Sequence, residues 1–223
     1  MGIAGGKCLR LESICLRLAT RRTSARLPNC DRNQNLNSTG KEAMSRIDDS
    51  RDFIPVRIAV LTVSDTRSLD EDRSGDVLAA RIEEAGHVLV HRAIVRDERA
   101  DIAAQLRAWI ADPGIDAIIS TGGTGLTGRD VTVEAHRDVY EKEIDAFATV
   151  FTLISMEKIG TSAVQSRACG GVAGGTYLFA LPGSPGACKD GWDGILKAQL
   201  DYRHKPCNFV EIMPRLDEHL RRK

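Results

Sequence analysis

Short apolar segments and amphipathic segments alternate along the chain from residue 57 onwards. The run Arg57–Val63 is apolar and rich in β-branched residues, which is typical of a buried parallel strand. An amphipathic segment follows it and predicts a helix, with Ser74 as its N-cap and Gly86 as its C-terminal stop. The chain therefore opens with a strand and a helix, as α/β proteins do.

The same alternation continues towards the end of the chain. It predicts strands at 87–95, 117–120 and 176–180, and helices at 101–111, 133–140, 145–155 and 186–200. No element is assigned to residues 156–175. This order favours a doubly wound α/β fold of three layers, in which helices cover both faces of a mostly parallel sheet. One domain is expected over residues 53–223.

The first 52 residues follow no sustained hydrophobic period. Six basic residues and a single acid, Glu12, lie between residues 7 and 26. This composition fits a targeting segment, a disordered basic tail, or a sequence whose translation starts at Met44. We favour the start at Met44, because only a short polar stretch separates it from the first predicted strand. Residues 1–52 are therefore treated as an extension outside the domain.

The charge balance and the cysteine pattern argue against several classes of function. Lys plus Arg and Asp plus Glu each number 31, and aromatic residues make up 4% of the chain, so neither nucleic acid nor a membrane is expected as a partner. No apolar run reaches the roughly 18 to 20 residues that span a bilayer. The six cysteines form no C-x-x-C pair. Free thiols in a soluble, cytoplasmic protein are therefore expected.

The strongest candidate for chemistry is the loop after the predicted strand at 117–120. Residues 121–130 read TGGTGLTGRD. Glycines let the backbone approach a ligand closely and point several N–H groups at an anion. Arg129 adds a cation, and Asp130 adds a carboxylate that could bind a metal. The predicted ligand-binding residues of this loop are Thr121, Gly122, Gly123, Thr124 and Gly125.

Other segments are expected to reach the same edge of the sheet, because the carboxyl ends of parallel strands and the N-termini of the following helices converge there. Asp97 follows the second predicted strand, and with Asp130 it could share a Mg²⁺, which prefers oxygen ligands and phosphates. The remaining predicted contacts are Ser64, Asp65, Ser74, Gly75, Asp76 and Ser184.

The glycine spacing also fits a second class of protein. Gly123, Gly125 and Gly128 match G-x-G-x-x-G, the fingerprint of dinucleotide-binding oxidoreductases. That fingerprint normally follows the first strand of its sheet, whereas this loop follows the third. A nicotinamide-dependent oxidoreductase is therefore a disfavoured alternative, which predicts saturable NAD(P)H binding.

Four motifs in this order resemble the MoaB/Mog family of molybdenum cofactor biosynthesis. They are TVSD at 62–65, SGD at 74–76, TGGTG at 121–125 followed by Asp130, and LPGS at 181–184. The likeness covers residues 56–216. The runs LTGRDVT and KPCNF place it nearer to the B branch of the family than to Mog.

The resemblance implies a molybdopterin-binding protein that transfers AMP from Mg-ATP to the molybdopterin phosphate. It assigns Asp97 and Asp130 as catalytic residues that position metal and phosphate, and it assigns residues 121–125 to the molybdopterin phosphate. It also implies a homotrimer or homohexamer, with other proteins of the pathway as further partners. The alternative is a non-catalytic molybdopterin carrier or scaffold of the same pathway.

Overall fold

A computed structural model describes residues 46–221, so the predictions for residues 1–45 lie outside the described residues. Its strands are β1 (Arg46–Ile47), β2 (Arg57–Val63), β3 (Val88–Val95), β4 (Ala117–Thr121), β5 (Lys142–Glu143), β6 (Cys169–Ala173), β7 (Thr176–Leu181) and β8 (His204–Lys205). Its α-helices are α1 (Arg73–Glu84), α2 (Arg99–Ile110), α3 (Thr132–Arg137), α4 (Asp145–Ile159), α5 (Pro185–Gly191), α6 (Lys197–Gln199), α7 (Phe209–Ile212) and α8 (Glu218–Arg221). None of the helices in this described range is long and apolar enough to cross a membrane.

Six strands form the central sheet, in the order β3-β2-β4-β7-β6-β5. The four strands β3, β2, β4 and β7 are parallel to one another, whereas β6 and β5 run antiparallel to their neighbours. β1 and β8 pair in a second, two-stranded sheet. The predicted α/β class is confirmed, and the sheet is mixed with a parallel centre.

Alternate residues of β2 pack on opposite faces of the sheet, as the pleat requires. Ile58 and Val60 belong to the core that residues of α1, α4 and α5 cover, whereas Leu61 belongs to the core that residues of α2 and α3 cover. Trp192 is buried in the first core and Trp109 in the second. Helices on both faces therefore give the expected three layers.

The strand β6 lies in the segment to which the sequence pattern assigned no element. Gly170 and Gly171 occupy its centre, and glycine weakens a strand because it has no side chain to pack. A Cβ on Gly171 would lie 2.4 Å from the ring of Tyr140, so the neighbouring ring fills the space that a side chain would need. Close packing, which a single sequence does not reveal, selects glycine here.

The helix α1 is capped by a residue other than the predicted one. Asp72 is its N-cap, and the Asp72 side chain accepts a hydrogen bond of 2.9 Å from the Gly75 N–H. The prediction of Ser74 as the N-cap is therefore wrong. Gly86 follows the helix with a φ of 84°, as expected for a C-terminal stop, and Ser184 caps α5 by accepting from the Ala187 N–H.

The folded part of the chain begins before the predicted boundary at residue 53. The Asp48 N–H donates to the Arg203 carbonyl at 2.9 Å, and the Arg51 guanidinium donates to the Tyr202 carbonyl at 3.1 Å. Together with the pairing of β1 and β8, these contacts make residues 46–52 part of the domain. A strand of two residues carries no hydrophobic period, so the sequence pattern does not reveal it.

Candidate functional site

The loops that follow β2, β4 and β7 surround one cavity at the carboxyl edge of the sheet. Its volume is about 480 Å³, which is in the size range of small-molecule sites. Nine predicted site residues line this cavity: Ser64, Asp65, Asp97, Gly122, Gly123, Thr124, Gly125, Asp130 and Ser184.

The start of the glycine-rich loop has no room for side chains. Gly122 has a φ of 102°, and a Cβ there would lie 2.3 Å from the Val63 carbonyl oxygen. Gly123 has a φ of 61°, and its Cβ would lie 2.4 Å from Thr132 Oγ1 and 2.5 Å from Asp97 Oδ1. Both positions require glycine, because other residues rarely adopt this backbone conformation and would also clash.

Thr132, the first residue of α3, fixes this part of the loop. Its hydroxyl donates to the Gly122 carbonyl at 2.8 Å, and its N–H donates to the Gly123 carbonyl at 2.9 Å. Within residues 46–221, no protein group accepts a hydrogen bond from the N–H of Gly123 or of Thr124. These two N–H groups are therefore available to an anion in the cavity.

Two aspartates of the cavity differ in how their charge is compensated. Asp97 Oδ1 is buried and has no hydrogen-bond partner among the described residues. Burial raises the pKa of Asp97, and the charges of Asp130 and Asp65 add to that effect, which a hydrogen bond from the Val131 N–H only partly offsets. Asp130 Oδ2 instead accepts from the hydroxyl and the N–H of Thr127, at 2.6 and 2.8 Å, and these bonds lower the pKa of Asp130. Asp97 is thus the carboxylate that most needs a proton or a cation from a ligand.

The cation that lines the cavity is not the one that the sequence suggested. Arg129 donates to Asp65 at 2.7 Å and to Glu98 at 2.8 Å, so its guanidinium is committed to two carboxylates. The hydrogen bond from Arg129 also lowers the pKa of Asp65. Arg67 lines the cavity and can meet a negatively charged ligand there.

Four predicted ligand contacts do not line the cavity: Ser74, Gly75, Asp76 and Thr121. Asp76 forms an ion pair of 2.7 Å with Arg92, and Gly75 donates to the Asp72 cap. The hydroxyl of Ser74 donates to the Gly183 carbonyl, and that of Thr121 donates to the Pro182 carbonyl. Because Gly183 and Pro182 line the cavity, these two hydroxyls support its wall from outside.

Sequence reasoning missed several lining residues: Thr66, Arg67, Gln165, Ser166, Pro182 and Gly183. Thr66 and Arg67 extend the TVSD motif, and Pro182 and Gly183 lie within LPGS, so both pairs could have been included with their motifs. Gln165 and Ser166 follow α4 at the end of the 3₁₀ segment Gly160–Gln165, where no motif marks them.

The structure is that of a doubly wound α/β protein with a cavity of small-molecule size at the carboxyl edge of its sheet. Residues 59–202 match the family model described as "Probable molybdopterin binding domain". The chain belongs to this molybdopterin-binding family of molybdenum cofactor biosynthesis.

Individual proteins of this family are similar to the chain in sequence and in structure. Molybdenum cofactor biosynthesis protein B of Escherichia coli strain K12 is 48% identical over 160 residues, which cover 72% of this chain and 94% of the relative. A crystal structure of molybdenum cofactor biosynthesis protein B superposes with a TM-score of 0.68 at 34% identity, over 75% of this chain and 99% of that one. The Mog protein of Mycobacterium ulcerans gives a TM-score of 0.59 at 28% identity, over 64% and 93% of the two chains. The predicted resemblance is confirmed.

Proposed function

We propose that this protein binds molybdopterin in the cavity and transfers AMP to it from Mg-ATP. The observation that carries the proposal is the juxtaposition of free N–H groups of the glycine-rich loop with the unpartnered Oδ1 of Asp97. In this reaction a phosphate oxygen of molybdopterin attacks the α-phosphorus of ATP. A new P–O–P linkage forms, the bond to the β-phosphate breaks, and pyrophosphate leaves.

The chain's own groups are suited to hold the reacting phosphates. The N–H groups of Gly123 and Thr124 would donate to phosphate oxygens, where fixed donors stabilise the charge that develops during transfer. Arg67 would bind the phosphate chain as a cation. Ser64, Asp65, Gly122, Gly125 and Ser184 complete the lining around the substrates.

Asp97 and Asp130 are the proposed Mg²⁺ ligands. Asp97 Oδ1 has no protein partner in the described chain, and Asp130 Oδ1 is not used by the turn that Thr127 closes. Within residues 46–221, no three His, Cys, Asp or Glu side chains form a metal site by themselves. Two carboxylates with substrate phosphates are nevertheless a usual way to hold Mg²⁺, which would neutralise phosphate charge when bound.

The direct test is pyrophosphate release by purified protein given molybdopterin and Mg-ATP. We expect release by the wild type and a loss of roughly 100- to 1000-fold in Asp97→Asn, the range seen when one charge-stabilising group is removed. Asp130→Asn should also lose activity. Asp193→Asn is the matched control, because Asp193 forms an exposed ion pair with Arg81 and does not line the cavity. Undiminished release by Asp97→Asn would contradict the assigned role.

Binding measurements with molybdopterin and with NAD(P)H, beside this assay, separate the proposal from its alternatives. Tight molybdopterin binding without pyrophosphate release would identify a carrier or scaffold and leave the binding site in place. Saturable NAD(P)H binding would favour the oxidoreductase that the G-x-G-x-x-G spacing suggests.

We also propose self-association, as a homotrimer or homohexamer, of a protein that works in the cytoplasm with other proteins of the pathway. Val150, Leu153, Met156 and Ile159 recur every three residues on α4 and are between 40% and 59% exposed. Sedimentation should show a trimer or hexamer, and Leu153→Glu should dissociate it; a wild-type monomer would contradict the proposal.

The buried cysteines support the cytoplasmic location. Cys169 and Cys188 are buried thiols that contact Tyr140 and Thr121, which suits a reducing compartment.

A further inference from the structure

The guanidinium of Arg167 forms a cross-brace beneath the glycine-rich loop. Its Nε donates to the carbonyl oxygens of Thr124 and Gly125, both at 2.9 Å. Its Nη2 donates to the Asp130 carbonyl at 3.2 Å. One side chain therefore bonds two backbone carbonyls at the start of the segment 124–130 and one at its end.

The cross-brace is anchored in α3. Arg167 Nη1 and Nη2 donate to the two carboxylate oxygens of Glu134, at 2.5 and 3.2 Å. The hydrogen bond from Arg167 lowers the pKa of Glu134, so the pair is charged at neutral pH. All three guanidinium nitrogens are thus used, in the planar, forked arrangement that arginine offers and lysine does not.

The position of these bonds determines which atoms of the loop face a ligand. Carbonyl oxygens repel phosphate, and those of Thr124 and Gly125 are occupied by Arg167, whereas the Thr124 N–H stays available. Arg167 also follows directly after Gln165 and Ser166, which line the cavity. It therefore links two walls of the site, although it does not line the cavity itself.

We infer that Arg167 is a positioning residue: it fixes the glycine-rich loop so that N–H groups, and not carbonyls, face the phosphate of the ligand. This role rests on the proposed function, because it concerns the binding of molybdopterin in the same cavity. It acts through the loop, since Arg167 contacts carbonyls and Glu134 and is not among the lining residues.

The test compares Arg167→Lys and Arg167→Ala with the wild type. Hydrogen exchange of the free protein measures the order of the loop without any substrate, and molybdopterin titration measures affinity. We expect faster exchange confined to residues 122–130 in both variants. The molybdopterin affinity and the corresponding KM should weaken roughly 10- to 100-fold, the loss expected when one hydrogen bond to a charged group is no longer made. The kcat should fall as well, because the same N–H groups stabilise the charge that develops during transfer.

Two controls distinguish positioning from general stability. Arg81→Lys changes another bidentate arginine, paired with Asp193 at 2.9 Å and remote from the cavity, and should leave loop exchange and affinity unchanged. Sub-denaturing guanidinium should restore affinity to Arg167→Ala and should leave the affinity of the wild type unchanged.

Each remaining outcome has a definite meaning. Loop exchange or affinity that is unchanged in both Arg167 variants would overturn the inference, and so would full rescue by lysine, because a point charge would then suffice. Absence of molybdopterin binding by the wild type itself would instead overturn the proposed function.

Discussion

Two glycine-containing segments reach the same edge of the sheet, and they differ in where their polar groups are bonded. The N-terminus of α1 and the loop after β4 both carry glycine, a hydroxyl residue and an aspartate, and both resemble anion sites in the sequence. In the structure the first is closed by its own side chains, whereas the second leaves polar groups free. The two segments have similar compositions, so only their hydrogen bonds within the protein distinguish a structural turn from a candidate ligand site.

Asp72 closes the N-terminus of α1. Its carboxylate is fully buried and accepts from the Thr62 hydroxyl at 2.6 Å, the Gly75 N–H at 2.9 Å and the Arg92 guanidinium at 3.0 Å. Burial disfavours its charge, but these three hydrogen bonds outweigh burial and place the pKa of Asp72 below its ordinary value. The Asp72 carboxylate is therefore satisfied without a ligand.

The cavity beside the loop after β4 shows the opposite pattern; its buried aspartate, Asp97, comes from the loop after β3. Asp97 Oδ1 has no partner in the described chain, burial raises the pKa of Asp97, and two N–H groups of the loop lack protein acceptors. Unsatisfied buried groups cost free energy unless a ligand pairs with them. The comparison teaches that similar segments are separated by where an unpaired buried carboxylate oxygen meets a cavity, which among these two segments happens only beside the loop after β4.

Exchanging the two aspartates for asparagine gives the largest expected effects, and these effects should be opposite in kind. Asp72→Asn should lower the free energy of unfolding by about 3 kcal/mol, because it leaves a buried ion pair without its acid. Its molybdopterin affinity should stay near that of the wild type at temperatures where it is folded. Asp97→Asn should keep or slightly raise stability while it loses turnover. Denaturant unfolding and the pyrophosphate assay, each run on both variants, measure stability and turnover. If both variants lost both stability and turnover, the comparison would be contradicted.

Two glycines of the same loop should differ sharply on substitution. Gly122→Ala should destabilise the protein by about 3 kcal/mol, because the residue has a positive φ and its Cβ would meet the Val63 carbonyl. Gly128→Ala is the matched control, since a Cβ there has no neighbour within 4 Å, and it should change stability by less than about 0.5 kcal/mol. Equal melting temperatures for the two variants would show that the start of the loop is not constrained as described.

The buried His136 behind this loop should make stability depend on pH. Nε2 of His136 contacts Ser120 Oγ at 2.8 Å, and burial lowers its pKa from 6.5 to about 3. A lowered pKa means that the folded state holds the neutral form, so the stability is present above pH 6.5 and is lost as pH falls towards 3. The pKa of the buried His87 is also lowered, so both histidines contribute.

Replacing His136 isolates its share of that pH dependence. Below about pH 6 the free energy of unfolding should fall less steeply in His136→Asn than in the wild type, by about 1.4 kcal/mol per pH unit. Urea unfolding between pH 7 and 5 measures the slope. Identical slopes would show that His136 does not hold its neutral form in the folded state.

The smallest expected effect concerns a residue that both caps a helix and lines the cavity. Ser184→Ala should cost about 1 kcal/mol of stability, because the Ser184 hydroxyl accepts from the Ala187 N–H at 3.2 Å. Ser68→Ala is the control, because Ser68 precedes a 3₁₀ segment without a capping hydrogen bond from its side chain. Thermal unfolding measures the difference between the two variants. Equal stabilities of Ser184→Ala and Ser68→Ala would contradict the capping role of Ser184.

The sequence predicted what depends on local patterns. Hydrophobic periodicity located β2, α2 and β4, and the strand-loop-helix order brought Asp97 and Asp130 to one edge. It could not reveal β6, whose glycines are selected by the packed ring of Tyr140, or β1, which is too short to carry a period. The cross-brace of Arg167 joins residues more than 30 positions apart, and no local pattern encodes such a contact.

The choice between the two anion-like segments also lay beyond the sequence. Ser74, Gly75 and Asp76 carry a helix-terminus motif that fits phosphate as well as TGGTG does. Only the structure shows that the Ser74 hydroxyl, the Gly75 N–H and the Asp76 carboxylate are already bonded, to Gly183, Asp72 and Arg92 respectively.

Hydrogen exchange with and without saturating molybdopterin tests the central claim most directly, because it reports each segment separately. We predict slower exchange on binding at residues 122–125 and 183–184, with no change at residues 73–76. Protection at residues 73–76 without protection of the glycine-rich loop would contradict the assignment of the cavity as the molybdopterin site.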